Sequence, residues 1–340
     1  IVEPNHWRDV GPERFGQEPV GSGPFQIKSW REGSVTYQEN SYSWRLPKTE
    51  SLEVIFLPEK TSRLQGLITG EIDIAIGLGP DDIYPIEAIG GYVHQRKSMD
   101  VMSITLVVQE GRPANDLRVR RALNYAVNKD AIADLLLAGY TNPGTQGAVR
   151  GLFGYNPALD TFPYDPDKAR LLLQEAGYED GFTLDVEVII GSNASDSSIY
   201  QLVASNLADI GIDMRIIPIR TSQMVRIILQ GQWRGDGFSQ IFGSWPTFEP
   251  LRTLRLHSCL SPNPWYCDER IMPTYLAASR ADSLAERQRL TQEVLAFYHD
   301  QATAILLQEV PLLDGIGPRV ENYAPNKGKI NYETIRLREK

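Results

Sequence analysis

The stretch 164–219 limits the possible folds more than any other part of the chain. It opens YDPDKARLLLQEAG. Asp165 is a natural N-cap and Pro166 a natural first helical residue. Asp167 complements the positive end of the helix, and Gly177 stops it. A strand is expected over 183–190, a helix over 197–210 and a second strand over 213–219. Helix, strand, helix, strand is the layout of an α/β protein whose strands are joined by crossover connections.

The flanks read differently. Strands are expected at 35–39 (VTYQE) and 52–57 (LEVIFL). A helix follows over 61–69, stopped by Gly70, and then IDIAI at 72–76, a short strand expected deep in a sheet. SITLVV at 103–108 is another strand. After Asn115, apolar residues recur at helical spacing (Val119, Ala122, Leu123, Ala126, Val127), and a second helix is expected over 129–138. Arg118, Arg120 and Arg121 read as a solvated helix face. Further on come a helix at 222–230, a short strand at 241–242, a long amphipathic helix at 283–301 and a strand at 305–308. A strand-rich part, an α/β part and a returning tail imply two lobes joined by two crossings. A ligand of such a protein is expected between the lobes, where closure excludes water.

Bulk properties narrow the function. The 340 residues exceed what one core usually supports. A net charge of -9 with scattered Lys and Arg excludes a nucleic-acid footprint and disfavours anionic lipid surfaces. No apolar run approaches the roughly 18 residues of a membrane span. The chain opens at Ile1 without a basic-then-apolar leader. Either an export signal has been removed, or the chain begins partway through a longer protein. GxSxG, HExxH, P-loop and GxGxxG patterns and Cys/His zinc spacings are absent, and acid pairs such as Asp81–Asp82 have no defined partner. The two cysteines, Cys259 and Cys267, stand in HSCLSPNPWYCDE. That spacing suits a short disulfide-closed loop, and two buried thiols are the other reading.

Four segments, in order, carry a resemblance: PVGSGPF (19–25), LQGLITGEIDI (64–74), PANDLRVRRALNYAVNK (113–129) and YDPDKARLLLQEAG (164–177). Together they resemble the peptide/nickel family of ABC-importer solute-binding proteins, which includes dipeptide, oligopeptide and nickel receptors. The resemblance implies a two-lobed α/β fold of the periplasmic-binding-protein type, class II. It implies no catalysis and no cofactor. The partners would be a small-molecule solute, peptide-like or a metal chelate, and the permease subunits of an ABC transporter. A monomer is expected, periplasmic or otherwise extracytoplasmic, either free or anchored as a lipoprotein. Family members carry a segment ahead of the point matched by Ile1, so the first lobe is expected to be partial, at 1–109 and 305–340, with the second at 110–304.

The same resemblance points to a loop, GSWPTFEPLRTL at 243–254, with Glu249 and Pro250 as its acid-Pro pair. Peptide-binding members place an Asp three residues before that pair to hold the peptide amine, and Pro246 stands there instead. Glu249 is expected to cap the helix beginning at Pro250, with substitution for the missing Asp as the other reading. Phe248 stands where nickel-binding members have an aromatic. Trp245 is a stacking platform or a core residue, and Arg252 an anion contact or a surface charge. His257 is a ligand for a metal complex or a structural histidine, since His6, His94 and His299 lie in other segments. Met102 and Ser103 fall where the family presents strand residues to ligand, with sheet core as the alternative. No resident metal site is expected. Metal-chelate, opine and sugar receptors, and a sensory binding module, are the rival functions.

Overall fold

The alternation expected over 164–219 forms. In the computed structural model, which describes residues 2–97, 99–191, 195–326 and 328–338, the Asp165 carboxylate accepts a hydrogen bond from the Lys168 amide at 2.9 Å and caps the helix Pro166–Glu175. The strand Phe182–Val188 then runs parallel to Ile212–Pro218. The helix Asp196–Ala208 lies between them in sequence. The chain divides into two compact units, Ile1–Lys97 with Leu312–Lys340, and Ser98–Pro311.

The second unit is built on a five-stranded mixed sheet. Its order is Ala304–Glu309, Asp100–Leu106, Gly237–Gly243, Phe182–Val188, Ile212–Pro218. The first two pairings are antiparallel and the last two parallel. The strand expected only at 241–242 is thus seven residues long and central. Its two terminal glycines and the polar Ser239 and Gln240 hide it from a pattern reading, because its partners, not its composition, make it a strand. Sequence reading placed 98–109 and 305–311 in the first lobe. Their strands instead pair with each other and with Gly237–Gly243, so both segments lie in the second unit.

Side chains cap two further helices. Asp116 accepts from the Arg118 amide at 2.8 Å, opening Leu117–Ala126. Ser283 caps the 17-residue helix Leu284–Asp300. The arginines after Asp116 do not form one solvated face. Arg120 is buried, and its guanidinium donates to the carbonyls of Ala114, Asn115 and Gln301. A buried guanidinium surrounded by carbonyls has its donors met without an acid.

The first unit contains smaller sheets. Phe25–Arg31, Ser34–Glu39 and Ser51–Ile55 form an antiparallel meander. Val54, Ile55 and Phe56, expected as an apolar strand and its end, are exposed. In a second sheet Leu312–Ile316 is central, antiparallel to Ile74–Leu78 on one side and Tyr92–Arg96 on the other. The IDIAI strand expected deep in a sheet is therefore an edge strand of the described residues, because the returning tail takes the middle. Gly315 in that tail strand is required by close approach. A Cβ there would meet Leu67 and Leu78 side-chain carbons at 2.7 Å. The helix Lys60–Thr69 covers this sheet and ends at Gly70, whose φ of 75° is the left-handed stop that glycine adopts without strain.

Candidate functional site

The strand Gly237–Gly243 delivers the chain to the loop singled out by sequence. The Ser244 amide donates to the Met99 carbonyl at 3.1 Å, which continues the sheet pairing by one residue. The Phe248 amide then donates back to the Ser244 carbonyl at 2.6 Å and closes a tight turn. Trp245–Pro246 is a cis peptide inside it. Phe248 sits at φ 61°, a left-handed conformation unfavourable for a bulky residue. Thr253 Oγ1 donates to the Gly243 carbonyl at 2.6 Å and ties the far end of the loop to the strand. The short helix Leu251–Leu256 follows, with Leu251 and Leu254 buried in the core of the second unit.

This scaffold presents Trp245. The residue is 43% exposed, and its ring meets Phe248 edge-on, with ring centroids 5.3 Å apart. Arg252 is exposed, and its Nη1 donates to the Trp245 carbonyl at 3.1 Å. Trp245, Phe248 and Arg252 are thus brought together on one loop of the second unit.

Glu249 has a different role from the expected cap. The helix is capped by Pro250 with no side-chain hydrogen bond. Glu249 Oε2 instead accepts from Arg287 Nη2 at 2.6 Å and Nε at 3.2 Å. Both side chains are largely buried, 23% and 28% exposed. The forked guanidinium outcompetes a backbone amide for the carboxylate, since both partners are charged. Arg287 lies on the helix Leu284–Asp300, and nothing near Glu249 in sequence announces it.

The other three candidates are core residues. His257 is fully buried, stacked on Phe242 at 4.3 Å and edge-on to Trp265 at 4.6 Å. Its Nδ1 accepts from Trp265 Nε1 at 3.1 Å. That bond places the imidazole proton on Nε2, which has no hydrogen-bond partner among the described residues. Burial pushes the His257 pKa down to about 3, so the ring is neutral and closed to a solute. Met102 is 1% exposed and its sulfur accepts from Gln308 Nε2. Ser103 is fully buried and donates to the Gln240 carbonyl at 3.0 Å. All three are engaged internally and leave no surface for a ligand.

Cys259 and Cys267 are joined in a disulfide. The ring they close contains Trp265, which is completely buried against Phe238, Trp233 and His257. Cys259, Cys267 and Glu269 are the one grouping of metal-ligating side chains among the described residues. Both sulfurs there are covalently bonded to each other, so no thiolate is offered to a metal. No helix among the described residues is long and apolar enough to cross a membrane.

Comparison with known proteins agrees with this architecture. The dipeptide-binding protein of Escherichia coli (strain K12) is 25% identical over 96% of this chain and 63% of its own length. The glutathione-binding protein GsiB of Salmonella paratyphi A is 26% identical over 86% of this chain and 59% of its own. The chain therefore spans about three fifths of these relatives. In structure, the periplasmic binding protein DppA of Helicobacter pylori, solved in complex with the peptide STSA, superposes with a TM-score of 0.82 at 20% identity, over 100% of this chain and 68% of that one. It shares the two-lobed α/β fold. The family model for bacterial extracellular solute-binding proteins, family 5 (Middle), matches residues 5–261. This chain belongs to that family, one of solute-binding proteins and not of enzymes.

Proposed function

We propose that this chain captures a small peptide-like solute for an ABC importer and presents it to the permease subunits, with the loop after Gly243 as the solute-facing element of the second unit. The observation that carries this reading is the exposed Trp245, held on a turn whose backbone is fixed at both ends. Large exposed aromatics on rigid loops supply contact area at little cost in conformational entropy. Family membership and the relatives that bind a dipeptide and glutathione support a peptide-like solute. Recognition of this kind needs no chemistry. Apolar walls desolvate the solute, a few polar groups orient it, and tighter binding to one conformation supplies the energy of any closure.

The test is isothermal calorimetry on the protein with a panel of di- and tripeptides, glutathione and a nickel–histidine complex. A peptide or glutathione is expected to bind, and Trp245→Ala is expected to weaken it at least tenfold, on the order of 1.4 kcal/mol. Unchanged affinity in that variant removes the loop from the site. Binding of the nickel complex alone replaces the peptide reading with the chelate one.

A further inference from the structure

We infer that the loop recognises an anionic group of its solute through Arg252, tethered to the Trp245 backbone, and does not hold a protonated amine through its own acid; this rests on the solute-binding reading above. Three observations carry it. The first is that Glu249 is already neutralised. Both contacts from Arg287 converge on Oε2, and the Glu249 and Arg287 side chains are 23% and 28% exposed. An incoming ammonium at Oε2 would have to compete with a two-point guanidinium contact that is already formed.

The second is the state of Arg252. Its Nη1 is tethered to the Trp245 carbonyl, and no carboxylate among the described residues pairs with it. Arg112, Arg270 and Arg289 of the second unit are held in ion pairs, whereas Arg252, like its helix neighbour Arg255, is in none among the described residues. Arg252 keeps the rest of its planar donor fork available, and a fork of this geometry matches a carboxylate. The third is placement. The tether holds the guanidinium at the backbone of a tryptophan that is 43% exposed. An anion and an adjoining apolar or planar group can therefore be bound together.

One rival anchor for an amine exists near the loop. Asp100 is paired across the sheet with Gly243, and a side chain at 243 would meet its Oδ1 at 3.1 Å. Asp100 is partly buried, and burial raises its pKa, so it is tested directly by substitution below.

The experiment uses one aromatic dipeptide in four forms: free, N-acetylated, C-amidated, and both. Calorimetry is expected to show N-acetylation changing affinity less than threefold and C-amidation weakening it at least tenfold. Arg252→Gln should erase the difference between acid and amide, while Asp100→Asn should leave it in place. Loss on N-acetylation, with the same loss in Asp100→Asn, overturns the inference and leaves the peptide reading standing. If none of the four binds, the peptide reading fails by itself. Phenylacetate and phenethylamine then test Arg252 without a peptide, by chemical-shift titration at millimolar concentration. Preference for the carboxylate, lost in Arg252→Gln, upholds the inference, and equal binding of the two overturns it.

Discussion

Two neighbouring segments of the second unit, 244–252 and 257–267, are built from the same residue types and put to opposite uses. Each contains a tryptophan close to a second ring. In the first segment Trp245 faces outward with Phe248 and Arg252. In the second, Trp265 and His257 turn inward onto Phe242, Phe238 and Trp233. The short helix Leu251–Leu256 separates them, burying Leu251 and Leu254 and leaving Arg252 exposed. A disulfide closes the inner segment, whereas the outer one is fixed by backbone hydrogen bonds and an ion pair that cancels its acid. The lesson is that an aromatic-rich stretch does not mark a binding site by composition. Which rings are left uncovered decides it.

The largest effect that would sharpen this contrast is on stability. Trp265→Ala empties a fully buried site and should destabilise the protein by about 3–5 kcal/mol in urea unfolding, whereas Trp245→Ala should cost less than about 1 kcal/mol. Similar losses for the two would erase the distinction between inner and outer segments.

Acid should act next, through His257. The unfolded ring titrates near 6.5 and the folded ring near 3, so between these values the unfolded chain binds more protons. Stability is then unaffected by this group above pH 6.5 and declines as pH falls toward 3, by up to about 4 kcal/mol at the acid end. His257→Gln, which can still accept from Trp265, should flatten the acid limb of stability against pH by about 1.4 kcal/mol per pH unit. An unchanged limb would mean that the ring is protonated or solvated in the folded protein.

A smaller stability change than either tests the ion pair of the outer segment. Arg287→Ala should cost about 1 kcal/mol, because the pair is partly shielded but still reached by water. Its informative result is a change in solute preference. With Glu249 released, the free-amine form of a peptide should gain affinity over the N-acetylated form. If calorimetry shows no shift in preference, Glu249 is not the group whose neutralisation excludes an amine.

Much of the scaffold was readable in advance because its signals are local. Asp165 and Gly70 start and stop helices through bonds to residues a few positions away. The loop 243–254 and the disulfide pair were also legible. The pattern predicts only two residues of the central strand Gly237–Gly243, and it predicts IDIAI deep in a sheet, whereas this strand lies at an edge among the described residues. Both errors concern rank within a sheet, which is set by strands that arrive from elsewhere in the chain. Glu249 was read as a cap for the same reason, since its partner Arg287 is 38 residues away.

By itself, then, the sequence determined the α/β alternation, the helix limits and the acidic balance, and a family resemblance pointed to the loop 243–254. Only the tertiary structure decided that Trp245 and Arg252 stand outside while His257, Met102 and Ser103 are core, and that Glu249 is neutralised. The physical reason is that capping and periodicity depend on neighbours along the chain. Burial and ion pairing depend on neighbours in space, and here those neighbours come from distant strands and from the helix Leu284–Asp300.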